Sequence, residues 1–410
     1  MAALPILVLN SGSSSIKFSV YEAEGAERRK LLEGAAEGIA ASGSGSKGKF
    51  WIKSWLNDAN GVKFVDETPT LPNLDAAFEV IAKALNQPPF PRPEAIGHRM
   101  VCGGPTVTEN QKLTPALIDE MERYTSFAPL HTPVAIYIMR QVMREFPNTP
   151  NFVCLDSYFH RDLPEVTRAL PIPKEYSDMG VRRFGAHGLS YESIVAHLRK
   201  EAPAQFPSRL IVAHLGNGAS ITAIRDGVGV DTSMGLTPTG GLISGSRTGD
   251  TDPGVLLFIL RKLAEKLANT SDAASELEKI VNKQSGLQGV SGLTNDMRAL
   301  RDAIGKGDAA ARLAVDEFTY VIRKFIGSYI AVLGGLDMLV FTGGIGENDS
   351  ATRAEVCAGL ESLGVVLDLE RNSGRGEAII SADDSPVTVR VIPPAEDLMI
   401  VEHVCRLMVC

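Results

Sequence analysis

The segment Asn10-Ser-Gly-Ser-Ser-Ser-Ile-Lys17 lies between an apolar run at residues 6–9 and an alternating stretch at residues 18–21. A second segment of similar character, His214-Leu-Gly-Asn-Gly-Ala-Ser220, lies between apolar runs at residues 210–213 and 221–224. Each pattern predicts two strands joined by a tight turn. Glycine lets a backbone approach a ligand closely, and successive free N–H groups form a nest for anions. One such turn is typical of an ordinary hairpin, but its repetition predicts a duplicated β-domain whose two halves bind a phosphorylated ligand.

The bulk composition is that of a globular protein. The chain has 410 residues, 44% hydrophobic and 22% charged, which suffices for two or three domains around a large core. Its formal net charge of −8 disfavours nucleic acid and anionic membranes as partners. The short apolar start lacks a basic region and is interpreted as a strand, not as a signal peptide. Five scattered cysteines without a CxxC pair favour reduced thiols, so we expect a cytoplasmic protein.

Hydrophobic periodicity and glycine-rich segments indicate how the chain is organised. Apolar residues at helical spacing predict helices at residues 74–86 and 133–146, whereas the glycine- and serine-rich residues 33–49 predict a loop. The apolar run at 150–155 predicts a buried strand with Asp156 at its carboxyl end, where α/β sheets commonly bind ligands. A third glycine-rich segment, at 342–348, lies between a predicted strand at 338–341 and a helical pattern at 351–363. This arrangement suits a phosphate or nucleoside at a helix N-terminus.

Imidazole side chains are concentrated in or beside the glycine-rich segments. Five of the seven histidines are there: His98, His131, His160, His187 and His214. Taken singly, each is more often a structural hydrogen-bond donor than a catalyst. The sequence contains no HxxH or HExxH pair, which disfavours a transition-metal site.

Several other residues suit phosphoryl transfer, which needs cations around the transferred oxygens and a bridging magnesium ion. Arg99 and Arg247 provide planar, permanently charged groups that fit carboxylate and phosphoryl oxygens. Asn10, Asp156 and Glu396 provide hard oxygen ligands for Mg²⁺. The sequence has neither a Walker A segment nor the protein-kinase motif set. The split β-domain architecture of actin, heat-shock chaperones and sugar kinases therefore remains.

Along nearly its whole length the chain resembles the acetokinase family of acyl kinases. The similar segments follow the family's order from residue 6 to about residue 400. They include Leu-Asn-Ser-Gly-Ser-Ser-Ser-Ile-Lys at 9–17, Gly-His-Arg-Met-Val at 97–101, Ala-Pro-Leu-His at 128–131, the second turn, Asp-Thr-Ser-Met-Gly-Leu-Thr-Pro at 231–238, Ser-Arg-Thr-Gly-Asp-Thr-Asp-Pro at 246–253 and Phe-Thr-Gly-Gly-Ile-Gly-Glu-Asn at 341–348.

The resemblance implies an α/β fold of two duplicated actin-like, ribonuclease H-like ATPase domains with an active-site cleft between them. It implies an N-terminal domain at residues 1–162, completed by a C-terminal helix at 396–410, and a nucleotide-binding and dimerisation domain at 163–395. The implied activity is reversible, Mg²⁺-dependent transfer of the γ-phosphoryl group of ATP to acetate, giving acetyl phosphate and ADP. The implied metal is Mg²⁺, with Mn²⁺ as an alternative, and the implied assembly is a cytoplasmic homodimer.

Position by position, the resemblance also implies roles for individual residues. It implies that the catalytic residues are Arg99, Asp156, His187 and Arg247. It implies that Mg²⁺ is bound by Asn10 and Glu396. The residues implied to bind the acyl substrate are Arg99, Val101, Leu130, Ala186 and Pro238. The residues implied to bind ATP are Lys17, His214, Leu215, Gly216, Asn217, Gly218, Asp296, Met297, Arg298, Gly344, Ile345, Gly346 and Asn348. Ser13 and Ser15 belong to the first turn, and His131 is implied to support the nucleotide site.

The resemblance further implies that the two arginines hold the acyl carboxylate and the phosphoryl group, that His187 donates to the transition-state oxygens, and that Asp156 orients an arginine or a magnesium-bound water. The physical argument agrees with these roles. A carboxylate acceptor is already ionised at pH 7, so no general base is required. The larger problem is bringing two anions together, which two arginines answer electrostatically.

Some positions depart from the family pattern and keep alternatives open. Ala186 stands where the family usually has phenylalanine, and Tyr158 and Tyr191 also differ from the usual residues. Either tyrosine is a candidate to fill the space beside Ala186; otherwise propionate or a broader range of short-chain acids fits. A kinase for a hydroxyl acceptor would use Asp156 as a base. A third alternative is an ATP-driven binding switch, which would need a peptide-binding appendage. A relative that uses diphosphate instead of ATP is disfavoured by the segment at 343–348.

Overall fold

The computed structural model describes residues 3–12, 14–39, 47–56, 58, 60–267 and 270–408. The chain forms two compact units, of which unit 1 comprises Met1–Tyr158 with Ala395–Cys410, and unit 2 comprises Phe159–Pro394. The strands are β1 Leu4–Ser11, β2 Ser15–Glu24, β3 Glu27–Glu37, β4 Lys49–Ser54, β5 Val62–Glu67, β6 Ala95–Met100, β7 Gln111–Lys112, β8 Asn151–Leu155, β9 Arg209–Leu215, β10 Ala219–Arg225, β11 Val228–Thr232, β12 Met338–Thr342, β13 Ala378–Ile379 and β14 Thr388–Val391.

The α-helices lie between groups of these strands and after the last of them. They are α1 Leu74–Leu85, α2 Pro115–Glu122, α3 Thr132–Glu145, α4 Glu165–Arg168, α5 Lys174–Asp178, α6 Gly188–Glu201, α7 Pro253–Ala264, α8 Thr270–Lys279, α9 Gly286–Ser291, α10 Met297–Gly305, α11 Ala309–Leu333, α12 Gly343–Asn348, α13 Ser350–Cys357, α14 Leu369–Asn372 and α15 Glu396–Met408. In the part of the chain that the structure describes, no helix is both long and apolar enough to cross a membrane.

The two units contain sheets of the same design. The strand order is β5-β4-β3-β2-β1-β6-β8-β7 in unit 1 and β11-β10-β9-β12-β14-β13 in unit 2. In each sheet an antiparallel meander (β1 to β3, or β9 to β11) continues into two strands parallel to its first strand (β6 and β8, or β12 and β14). The predicted duplication of an α/β domain is therefore confirmed.

The sheet of unit 1 is covered on both faces, and alternation along β6 shows how. Ile96 packs into a core formed with α1 and α3. Gly97 points to the opposite face, where α15 packs against β1, β2 and β6. A Cβ atom at position 97 would collide with Cγ2 of Ile400, so glycine permits the close approach of α15. Arg99 lies on the same face as Gly97 and therefore on the side of α15.

One predicted loop is wrong in part. Residues 33–37 continue β3, whereas 40–46 lie outside the described residues. A Cβ atom at Gly34 would lie 2.6 Å from the carbonyl oxygen of Trp51 and 2.5 Å from Cζ of Phe18. Glycine at this position thus makes room for neighbouring strands instead of marking a turn. The helices predicted at 74–86 and 133–146 are confirmed as α1 and α3.

Candidate active site

Three polar side chains of unit 1 come from neighbouring parallel strands. β1 pairs with β6, and β6 pairs with β8, so Asn10, Arg99 and Asp156 reach the same carboxyl edge of the sheet. Arg99 donates to Oδ2 of Asp156 through Nε, at 3.0 Å, and through Nη2, and it donates to Oδ1 of Asn10 through Nη1, at 2.9 Å. The position of Asp156 at the end of the strand predicted for 150–155 is confirmed.

Negative charge is concentrated around this arginine. The Asp156 side chain is 0% exposed, and its Oδ1 has no hydrogen-bond partner among the described residues. Burial raises the pKa of Glu396, and the nearby carboxylates of Asp156 and Asp397 raise it further. Burial alone would lower the pKa of Arg99, but Asp156 and Glu396 raise it above its ordinary value. The cluster thus has an excess of carboxylate oxygens over cations.

This donor set fits a magnesium ion. Mg²⁺ is bound through oxygen atoms, usually one or two carboxylates together with waters and substrate phosphates. The unpartnered Oδ1 of Asp156 and the crowded carboxyl group of Glu396 are of that kind. Glu396 is the first residue of α15, whose neighbour Asp397 accepts a hydrogen bond from Oγ of Ser19 at 2.7 Å. The close contact at Gly97 and this bond fix the beginning of α15 in unit 1.

The second glycine-rich turn is built into unit 2. His214 and Leu215 end β9, Gly216 to Gly218 form the turn, and Ser220 lies in β10. Asn217 is held at two atoms: its carbonyl oxygen accepts from the Gly245 N–H at 2.9 Å, and its Oδ1 accepts from Nδ2 of Asn295 at 3.1 Å. The turn is therefore fixed before any ligand binds.

In the third glycine-rich segment the helix begins earlier than the pattern at 351–363 predicts. The segment is helical from Gly343, so α12 begins directly after β12, which runs parallel to β9. Gly343 has φ of +78°, and a Cβ atom there would lie 2.8 Å from the carbonyl oxygen of Leu215. Parallel pairing of β9 and β12 therefore brings the second and third segments to one edge of the sheet in unit 2.

His187 and Arg247 converge on the turn at Gly218. A Cβ atom at Gly218 would lie 3.2 Å from Nη1 of Arg247 and 3.5 Å from Nε2 of His187. The same guanidinium donates to the carbonyl oxygen of Pro238 at 3.3 Å. His187 precedes α6 in the left-handed conformation, with φ of 57° and ψ of 23°. Such strain in a non-glycine residue is common at functional sites.

His187 and His214 are packed together. Their rings stack with centroids 4.2 Å apart and an interplanar angle of 23°. Nδ1 of His187 lies 2.8 Å from Oγ of Ser220, and Nδ1 of His214 lies 2.9 Å from Oγ of Ser190. Each imidazole is thus held through Nδ1 by a serine. The N-terminus of α6, next to His187, adds a partial positive charge suited to an anion.

Other residues predicted to bind nucleotide lie in unit 2 with differing exposure. Asp296 caps α10 by accepting from the Arg298 N–H and also pairs with the Arg298 side chain, which is 91% exposed. The Met297 side chain is buried in the core, so only its backbone is available to a ligand. Gly344, Ile345, Gly346 and Asn348 belong to α12. In unit 1, Lys17 is exposed opposite Asn10 in the β1–β2 register. Ser13 lies outside the described residues.

The predicted acyl-pocket residues are divided between the units. Val101 and Leu130 belong to unit 1, whereas Ala186 and Pro238 belong to unit 2. Ala186 is 2% exposed, and its carbonyl oxygen accepts from Nε2 of His160 at 3.2 Å.

The two tyrosines considered as fillers have other partners. Tyr158 packs edge-on against His403 in unit 1, at 5.4 Å between centroids. Tyr191 is fully buried in unit 2, where its hydroxyl group contacts Oγ of Ser220. The contact from Tyr191 through Ser220 to His187 was not predicted from the sequence. Its one signal is the spacing of Tyr191 four residues after His187, one helical turn along α6.

Two motif histidines are structural. Burial lowers the pKa of His98 and of His160 to about 4, so both are neutral at pH 7. His98 donates from Nε2 to Oδ1 of Asn151 at 2.7 Å, which links β6 to β8. His160 donates to the backbone at Ala186. Both support the chain beside predicted site residues.

Comparison with known proteins identifies the family of the chain. The sequence profile of the Acetokinase family matches residues 5–402. An acetate kinase of Phocaeicola vulgatus is 41% identical over 406 residues, which cover 97% of this chain and 98% of that relative. Crystal structures of an acetate kinase from Porphyromonas gingivalis and a propionate kinase from Francisella tularensis subsp. tularensis match with TM-scores of 0.84 and 0.88, at 35% and 34% identity, over 99% and 98% of this chain and 100% of each of those chains. The chain belongs to the acetokinase family.

Proposed function

We propose that the protein is an acetate kinase, which transfers the γ-phosphoryl group of ATP to the carboxylate of acetate and catalyses the reverse reaction. The observation that carries the proposal is the anchoring of Arg99 by Asp156 and Asn10 at the carboxyl edge of the unit 1 sheet. A guanidinium so held is preorganised for an anionic acceptor and needs no proton to be removed from it. Preorganised charge of this kind is usually the largest contribution to catalysis.

The mechanism assigns two tasks to cationic groups. Arg99 binds the acyl carboxylate, and Arg247 and His187, which converge on Gly218, bind the phosphoryl group. These cations offset charge on the equatorial oxygens of the phosphoryl group as it is transferred. The turn at Gly216 to Gly218 and the N-terminus of α12 bind the nucleotide phosphates.

Magnesium would be held by Asn10 and Glu396, with Asp156 orienting a magnesium-bound water. When bound, the ion neutralises phosphate charge and orients the phosphates. Mn²⁺ has similar ligand preferences and is the alternative.

The substrate is a short-chain acid, and acetate is our first choice. The name of the Francisella tularensis relative, propionate kinase, keeps that acid as the alternative. Ala186 supports it, because a methyl group leaves more room than the phenylalanine usual in the family.

A hydroxylamine-trapping assay tests the proposal directly. The purified protein is incubated with ATP, Mg²⁺ and acetate, propionate, butyrate or glycerol, and both hydroxamate and ADP are measured. We expect hydroxamate from acetate and no ADP from glycerol. ADP release with glycerol and no hydroxamate with any acid would support the hydroxyl-acceptor kinase and reject our proposal.

Substitution of Arg247 separates chemistry from folding. Arg247→Ala is expected to reduce kcat by roughly 10³–10⁵, as for other arginines that stabilise phosphoryl transfer. Arg247→Lys should recover little, since lysine lacks the planar fork. Arg375→Ala, at an exposed arginine of unit 2, is the control and should retain wild-type kcat. Retention of more than about a tenth of kcat by Arg247→Ala would contradict the role assigned to it.

We further propose a cytoplasmic homodimer assembled through unit 2. The observation that supports this assembly is α7, which is largely apolar yet has no buried residue. Its Val255, Leu257 and Phe258 are 46%, 52% and 61% exposed. Contiguous exposed apolar surface of this kind is typical of an interface, and a second copy of the chain is the proposed partner.

Light scattering after size exclusion tests the assembly. We expect the wild type at twice the mass of one chain and Phe258→Glu at the mass of one chain. Val166→Glu replaces another exposed apolar residue of unit 2, 87% exposed, and should remain dimeric. A monomeric wild type would reject the homodimer.

A further inference from the structure

The Ser220 hydroxyl joins two groups that the sequence does not connect. Ser220 is fully buried at the second position of β10. Its Oγ lies 2.8 Å from Nδ1 of His187 and also forms a hydrogen bond with the hydroxyl group of Tyr191. The three side chains therefore form a short chain of hydrogen bonds behind the imidazole that faces Gly218.

The chemistry of the donors sets the direction of these hydrogen bonds. Serine has one hydrogen to donate and two lone pairs to accept with, whereas a neutral imidazole has one donor and one acceptor nitrogen. A phenol is a stronger acid than an alcohol and hence the better donor, and an imidazole nitrogen is a better acceptor than a phenol oxygen. The favoured order is Tyr191 O–H to Ser220 Oγ, then Ser220 O–H to Nδ1 of His187.

This order decides which nitrogen of His187 carries its hydrogen. When Nδ1 accepts from Ser220, the hydrogen of the neutral ring is on Nε2. Nε2 is the atom that would lie 3.5 Å from a Cβ at Gly218, next to Nη1 of Arg247. A hydrogen at that position would donate to a phosphoryl oxygen brought to Gly218, whereas a lone pair there would repel it.

We propose that Tyr191 is a positioning residue, which acts through Ser220 to hold His187 in the tautomer that donates from Nε2. The inference rests on the proposed function, since it gives His187 its task in phosphoryl transfer. Tyr191 differs from the residue usual in the family, so the hydroxyl relay is a feature of this chain's own residues.

Tyr191→Phe tests the relay while preserving packing. The ring of Tyr191 packs against His160 and Phe159, with centroids 5.6 Å and 6.1 Å apart, and phenylalanine retains those contacts. We expect kcat to fall by roughly 10- to 100-fold, by analogy with the cost of losing the partner that orients a metal-ligating imidazole. The KM for ATP should change less than twofold, because the nucleotide turn is untouched.

Two further variants separate the relay from general effects. Tyr329→Phe removes the hydroxyl of another buried tyrosine in unit 2, whose ring packs on Phe325, and should retain wild-type kcat. Ser220→Ala removes the middle of the relay. Adding Tyr191→Phe to Ser220→Ala should then cause no further loss, because coupled residues are not additive.

Nitrogen-15 NMR of the imidazoles provides a readout independent of activity. The His187 resonances are identified by their loss in His187→Asn. In the wild type we expect hydrogen on Nε2, and in Tyr191→Phe a mixture of the two tautomers.

Each outcome is decisive. An unchanged tautomer and kcat in Tyr191→Phe would overturn the relay, as would additive losses in the double variant. An inactive wild type with His187 already in the Nε2–H form would reject the proposed function while leaving the relay intact.

Discussion

Replacing Arg99 with alanine would remove the hydrogen-bonding partner of a fully buried carboxylate. Arg99 is 18% exposed and bonds Asp156, which is 0% exposed, through two nitrogens. Breaking a buried ion pair from one side costs about 3–5 kcal/mol of unfolding free energy, because the remaining charge is left uncompensated. For a unit of this size that corresponds to a fall in Tm of roughly 6–20 °C.

Thermal unfolding of three variants measures this effect. Arg99→Ala should unfold well below the wild type, and the double variant Arg99→Ala/Asp156→Asn should recover most of the loss, since an amide carries no charge. Arg140→Ala, which breaks the surface pairs of Arg140 with Glu122 and Asp119, is the control and should cost at most about 1 kcal/mol. Added Mg²⁺ should stabilise Arg99→Ala more than it stabilises the wild type, since a cation replaces the lost one.

The activity of the same variants separates the structural role of Arg99 from its catalytic role. In Arg99→Ala kcat should fall by roughly 10³–10⁵, and the stabilised double variant should remain as inactive. A Tm within a degree or so of the wild type for Arg99→Ala would refute the reasoning. So would a double variant less stable than either single variant.

Three further results are expected. Gly97→Ala should lower the unfolding free energy by about 1–3 kcal/mol through overpacking against Ile400; thermal unfolding unchanged by this substitution would contradict the close contact of α15. Because the pKa of His98 and of His160 is lowered to about 4 by burial, the unfolded chain binds protons that the folded chain does not between about pH 6.5 and pH 4, so each should cost about 2 kcal/mol of stability between pH 7 and pH 5. In denaturant titrations, His98→Gln should make the free energy of unfolding depend less steeply on pH. A dependence equal to that of the wild type would show that other groups cause it. Ala186→Phe should raise the acetate-to-propionate ratio of kcat/KM by roughly tenfold, a methylene being worth about 1–3 kcal/mol in an apolar site; an unchanged ratio would exclude Ala186 from the acyl pocket.

Local sequence patterns predict much of the candidate site. The run at 150–155 predicts a strand that ends at Asp156, and the two glycine-rich turns predict hairpins; all three are confirmed. Strand ends are readable because hydrophobic alternation and turn residues are local features of the sequence. Parallel pairing then brings Asn10 and Arg99 to the same edge without further information.

What the sequence missed depends on contacts between distant elements. Gly34 looks like a loop residue, but its missing side chain makes room for Phe18 of β2 and the backbone of β4. Ser220 and Tyr191 meet because a strand and a helix pack together, and no local pattern reports that. The crowding of Glu396 by Asp156 is likewise a tertiary effect, which only the packing of α15 on the sheet produces.

The position of α15 has a consequence for biosynthesis. A ribosome synthesises unit 2 in full before it synthesises the helix that covers the Gly97 face of unit 1, where Ile400 and Val404 pack. Domains generally fold as they emerge, starting with the N-terminal one. We therefore expect one face of the unit 1 sheet to stay uncovered until α15 has been synthesised, and the nascent chain to be accessible to chaperones for that interval. Glu396 belongs to the same helix, so the proposed magnesium site would be complete only after unit 2 has been synthesised.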